Sequence, residues 1–127
     1  MPFALSEKSL SRLSGVHPDL QKVVKRAIEL TTIDFVVTEG LRTKERQAYL
    51  VEKGASKTMN SRHLTGHAVD IAPIVDGKVS WEWKHFYPII GAMKVAAEEL
   101  GIPVIHGADW VTFKDGPHHE LDRRTYP

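Results

Sequence analysis

The chain has 127 residues, a formal net charge of +1, 42% hydrophobic residues and no cysteine. That is enough for one domain with its own core, so a metal is not needed as a folding staple, and disulfides, thiolate chemistry and cysteine zinc fingers are excluded. Near-balanced charge argues against a dedicated nucleic-acid binder, which needs a basic stripe, and no window approaches the ~20 apolar residues of a membrane-spanning helix.

Residues 1–8 lack the basic-then-apolar pattern of a secretory signal, so none is expected. Ser6 is placed to N-cap a short helix ending at Leu13. Pro18 suits the first position of a second helix, in which Leu20, Val23, Val24, Ala27, Ile28 and Thr31 recur as one buried face. Lys22, Lys25, Arg26 and Glu29 form its solvated side. Residues 34–39 are β-branched and aromatic enough for a strand. Thr43 can then cap a helix running to about residue 53, closed by Gly54.

Between that strand and helix stands Arg42, on a connection short enough to hold a guanidinium for paired hydrogen bonds to a carboxylate or oxyanion. Position alone leaves two readings open: this one, and a surface arginine paired with Glu39 or Glu45. Gln47, one helical turn further, is a weaker candidate to face the same space.

Residues 55–60 read as a polar loop leading into Ser61-Arg62-His63-Leu64-Thr65-Gly66-His67-Ala68-Val69-Asp70. From Ala68 the pattern alternates as on a half-buried strand, with Val69 and Ile71 on one face and Ala68, Asp70 and Ala72 on the other. Two alanines leave room beside Asp70 for an ion or a substrate. Gly66 lets the chain fold back so that His63 meets Asp70. His63 and His67 as an i, i+4 zinc pair on a helix is the weaker alternative, because Leu64 replaces the expected glutamate and a strand follows at once.

The strand runs to residue 75, and Asp76-Gly77 is a hairpin turn returning through residues 78–81. A long helix over residues 83–100 buries Phe86, Ile89, Ile90, Met93, Ala96, Ala97 and Leu100, and Gly101 ends it. Residues 103–106 form a short strand opening onto His106-Gly107-Ala108-Asp109-Trp110, a glycine-containing connection of the kind that carries function. In Asp115-Gly116-Pro117-His118-His119-Glu120-Leu121 the Gly-Pro turn leads into an extended run, so His118 and Glu120 share a face.

A catalytic zinc takes three protein ligands, imidazole and carboxylate among them, at about 2.0–2.2 Å and keeps a fourth position open. His63, Asp70 and His118 make such a set, with His106 as the spare. Asp115, across a proline-restricted turn, is placed to move the proton of an activated water. The predicted elements are short antiparallel strands and helices that do not strictly interleave, which is the α+β class.

The pattern Ser61-x-His63-x-x-Gly66-x-Ala68-x-Asp70, followed by Asp115-x-x-His118, resembles the zinc peptidases that cut D-amino-acid-containing peptides of the bacterial cell wall. It is most similar to the compact phage-type L-alanyl-D-glutamate endopeptidases, in which an aspartate precedes the last histidine. The resemblance spans residues 38–121. It implies the compact α+β fold shared with D,D-peptidases and the Hedgehog domain, Zn2+ held by His63, Asp70 and His118, and Asp115 as general base and acid. It also tips Arg42 toward contact with substrate or the tetrahedral intermediate; Ser61 of the motif, and Trp110 and His106 by their place on the glycine-containing connection, are the further candidates for the substrate cleft. His119 departs from the pattern, where an aromatic or apolar residue is expected, and both packing inward and joining the site stay open.

The expected substrate is the peptidoglycan stem peptide. A D-alanyl-D-alanine dipeptidase or carboxypeptidase, or a non-catalytic wall-binding zinc module on the same fold, is the alternative. One domain over residues 1–127, without a separate wall-binding domain, is expected to act as a monomer with no nucleic-acid partner and no stable membrane insertion. Made in the host cytoplasm and acting on the wall in the periplasm, it would depend for export on a separately encoded holin.

Overall fold

The computed structural model describes residues 2–56, 58–112 and 114–127. Met1, in the stretch read for a signal, and Lys57, in the loop expected at 55–60, lie outside them. The elements run α1 (Glu7–Leu13), α2 (Pro18–Leu30), β1 (Phe35–Glu39), α3 (Lys44–Glu52), β2 (Ala68–Val75), β3 (Lys78–Val79), α4 (Trp83–Leu100), β4 (Val104–His106) and β5 (His118–Leu121). Single 3-10 turns at Arg62–Thr65 and Gly107–Asp109 complete them. Among the described residues, no helix is long and apolar enough to cross a membrane.

Local chemistry accounts for the boundaries. The Ser6 hydroxyl accepts from the Ser9 N–H at the start of α1, and Thr43 does the same for Arg46 at the start of α3. Gly101 takes the left-handed conformation that closes α4. Asp76 and Gly77 both have positive φ, as a two-residue hairpin turn requires. The returning strand is shorter than expected: β3 stops at Val79, and Trp81 stands exposed beyond it.

The sheet is antiparallel throughout, in the order β1-β2-β5-β4, with β3 extending the hairpin on β2. Its two faces follow the parity of β2. Val37, Val69, Ile71 and Leu121 are fully buried in the core with Val24 and Ala27 of α2 and Ile89 and Met93 of α4. Burying each of the valine, leucine, isoleucine and methionine side chains stabilises the fold by about 1.5–3 kcal/mol. Asp70 faces the other way. The register sets it opposite Glu39 on β1 and His118 on β5, so three polar side chains from adjacent strands stand in one row.

The same parity sends His119 inward. It is fully buried and pairs in register with His106 of β4, their Nδ1 atoms 2.8 Å apart, so one ring donates and the other accepts. The His119 Nε2 is buried without a hydrogen-bond partner among the described residues. Burial, then the positive charge of Lys94, pushes His106 down to about 4, and burial and His106 hold His119 well below its ordinary value.

A histidine whose folded pKa lies below its unfolded value contributes stability that is complete above about pH 6.5 and is lost as pH falls toward the folded value. In chelator, the thermal midpoint is therefore expected to fall between pH 6.5 and about 4. A His106→Phe variant should show a shallower fall, and equal slopes would remove His106 from the acid response.

Candidate functional site

A cleft of about 1140 Å³ lies over the face of the sheet that carries Asp70 and His118, walled by the segments around residues 55–62 and 110–117. Arg42, Ser61, His63, Asp70, Trp110, Asp115 and His118, all expected at the site, line it.

Three segments deliver the central groups. His63 sits in the 3-10 turn, capped by the Ser61 hydroxyl, which accepts from the His63 N–H. Gly66 ends that turn at φ 75, where a Cβ would also come within 2.5 Å of the Gly15 carbonyl oxygen, so only glycine reverses the chain here without strain. The reversal starts β2 and brings Asp70 back beside His63. His118 comes from β5 through the register described above.

The result is a convergence of acceptors. His63 Nε2 lies 3.2 Å and His118 Nδ1 3.3 Å from the same Asp70 oxygen, Oδ1, and the three groups offer ligand atoms all within 4.8 Å of one another. The far side of each ring is engaged: His63 Nδ1 donates to the Gly40 carbonyl at 2.8 Å, and His118 Nε2 to Glu120 Oε1 at 2.8 Å. In the neutral rings those bonds leave a lone pair on each inner nitrogen aimed at a carboxylate. Only a cation or an added proton relieves that arrangement, and two tautomer-locked imidazoles with one carboxylate fit a divalent metal.

Without a metal, protons take that role. Burial would lower His118, but its bonds to Asp70 and Glu120 outweigh burial and raise it to about 9. Burial would raise Asp70, but His118 and His63 hold it below the usual carboxylate range. Asp115 moves the opposite way. Burial and the neighbouring charge of Asp70 raise its carboxyl, partly offset by His118, His63 and Arg42. Its backbone is held by the N–H donating to the Gly107 carbonyl and the C=O accepting from the His118 N–H.

Arg42 pairs with Glu39, one of the two acids expected for it, but is buried rather than on the surface. It grips Glu39 with two hydrogen bonds, Nε to Oε1 at 2.8 Å and Nη2 to Oε2 at 2.6 Å, yet it is buried and lines the cleft, with Nη2 3.8 Å from Asp70. Glu45 is not its partner. Gln47 does not line the cleft: fully buried, it accepts from Arg42 Nη1 at 2.7 Å and donates to the Ser56 hydroxyl and the Thr58 carbonyl. Trp110 packs its ring 5.2 Å from that of His118.

One other expectation, for His106, is corrected, and the weaker His63–His67 pairing is not formed. His106 is absent from the cleft lining, because its register with His119 puts it on the core side of the sheet. His67 turns away from His63: its Nδ1 meets the Thr65 hydroxyl at 2.6 Å and its ring lies 5.6 Å from that of His17. Glu120 and the Gly40 carbonyl were not foreseen as orienting groups. The two-residue spacing of His118 and Glu120 on a strand was a readable signal for the first; a backbone carbonyl 23 positions away has none.

Known proteins share this arrangement of chain. A family model for the phage L-alanyl-D-glutamate peptidase matches residues 1–127. The L-alanyl-D-glutamate peptidase of Escherichia phage T5 is 38% identical over 99% of this chain and 94% of its own. The crystal structure of the Serratia marcescens L-Ala D-Glu endopeptidase ChiX is 48% identical, with a TM-score of 0.91 over 95% of this chain and 91% of that one. The vancomycin resistance D,D-dipeptidase VanXYg, 14% identical with a TM-score of 0.53 over 84% of this chain and 50% of that one, shares the fold. With one full-length family match and a relative this similar end to end, the chain belongs to the phage L-alanyl-D-glutamate peptidase family.

Proposed function

We propose that this protein hydrolyses the L-alanyl-D-glutamate bond of peptidoglycan stem peptides, with Zn2+ held by His63, Asp70 and His118. The observation that carries the reading is the convergence of two imidazoles, each with its outer nitrogen already bonded, on one carboxylate. When bound, the ion supplies Lewis acidity, polarising a carbonyl and acidifying water.

The chain's own groups do the rest. Asp115, its carboxyl raised by burial and by Asp70, takes the proton of the attacking water and returns it to the leaving nitrogen. Arg42 stands as a fixed positive charge at the cleft wall. Glu39 and Gln47 use three of its five N–H donors, and those left serve negative charge developing on the substrate. Ser61 caps the turn that aims His63, and the Trp110 ring beside His118 limits access from that side. One domain over residues 1–127 carries both substrate binding and chemistry, and its target is the cell wall.

Purified muropeptides digested with the protein and weighed should show L-alanine separated from D-glutamate; release of D-alanine or its dipeptide would instead assign a D,D-peptidase. Chelator should abolish the cut and added zinc restore it. Asp115→Ala is expected to keep the metal while turnover drops by about 10²–10⁴, and full turnover in the metal-loaded variant would sink the base assignment. His63→Ala should lose stoichiometric zinc, measured by elemental analysis; tight retention would mean that other residues hold the ion.

A further inference from the structure

Among the described residues, three aromatic side chains stand out of the core beside the cleft. Trp81, Trp83 and Tyr87 are 65%, 43% and 63% exposed. They form one surface. Trp83 and Tyr87 are four residues apart on one side of α4, their rings 6.1 Å apart, and Trp81 and Trp83 both rest on buried Phe86, at 6.2 and 6.3 Å. Exposed apolar surface gathered in one place marks an interaction site far more often than single exposed residues do.

This surface is continuous with the cleft at two points. Trp81 is itself part of the cleft wall. Phe86 and Trp83 also pack on Gly116, where a Cβ would meet their rings at 3.3 and 3.4 Å. Gly116 lies in the turn that presents Asp115 and His118, so whatever stacks on the aromatics leads directly to the reacting groups.

The occupant follows from the polymer. A stem peptide in the cleft is attached to a glycan strand, and a sugar ring offers a face of C–H groups for stacking and hydroxyls at its edge. Indole and phenol rings match this, with an apolar body and a polar tip. The exposed Trp83 and Tyr87 rings are inclined to each other by 36°, which suits successive sugars that are rotated along a strand. We propose that Trp81, Trp83 and Tyr87 form a stacking platform for the glycan strand of the polymer whose stem peptide enters the cleft, an inference that rests on the stem-peptide reading above.

The test uses Tyr87→Ala and Trp83→Ala, with Val95→Ala, an exposed apolar change further along α4, as control. Tyr87→Ala is decisive if loss of Trp83 from Phe86 and Gly116 impairs folding. The probe is peptide-free glycan strands of alternating N-acetylglucosamine and N-acetylmuramic acid, titrated by calorimetry. Wild type and Val95→Ala should bind alike and Tyr87→Ala about tenfold more weakly, as truncating an aromatic anchor does. On intact sacculi the KM of Tyr87→Ala should rise by a similar factor, while turnover of a glycan-free L-alanyl-D-glutamate peptide follows wild type. No glycan binding by wild type, equal binding by Tyr87→Ala, or a wild-type dimer in sedimentation that Tyr87→Ala dissociates would each overturn the platform. Glycan binding without cleavage of any L-alanyl-D-glutamate bond would overturn the catalytic reading and leave the platform standing.

Discussion

Two imidazole lone pairs and a carboxylate aimed at one another are unfavourable unless positive charge lies between them, and the fold is arranged to hold them in that state. The restraint comes from the outside of the cluster. The Gly40 carbonyl and Glu120 engage the outer nitrogens of His63 and His118, so neither ring can turn its lone pair away from Asp70 without breaking a bond of 2.8 Å. Orientation of metal-binding histidines by such partners is general, and here it leaves His63, Asp70 and His118 arranged as a group that could hold a metal ion.

The antiparallel register of β1, β2 and β5 underlies that geometry. It sets Glu39, Asp70 and His118 in one row and Ala68 opposite Glu120 in the next. A slip of one residue would exchange Asp70 for Val69 or Ile71 and drive a carboxylate into the core. The apolar row on the opposite face, Val37, Val69, Ile71 and Leu121, therefore does more than stabilise the domain: burying it selects the register that assembles the site.

Around the row, buried polar side chains tie the cleft walls to the sheet. Gln47 links Arg42 to Ser56 and Thr58, so the guanidinium and the segment entering the 3-10 turn are held by one side chain. Arg62 donates to the Leu121 and Tyr126 carbonyls and joins that turn to the end of β5. Charge is thereby graded across the site. Asp70 is held ionised by its partners, while burial and that negative charge raise Asp115.

Much of this was legible in the sequence because it is local. The caps at Ser6 and Thr43, the reversal at Gly66, the Asp76-Gly77 turn and the alternation that separates Asp70 from Val69 and Ile71 depend on residues within a few positions of one another, and all are present. The family motif likewise picked out His63, Asp70 and His118, which the fold brings together. What sequence could not supply was the partner across a strand. His106 looked like a cleft residue by its neighbours, but its side was decided by pairing with His119, 13 positions away. Gln47 became an anchor of Arg42 beside the Glu39 that the sequence had offered, and Gly40 that of His63, through contacts that no periodicity encodes. Periodicity determines which face of its own element a side chain occupies, whereas the group that meets it there is set by strand register and packing, and those belong to the tertiary structure alone.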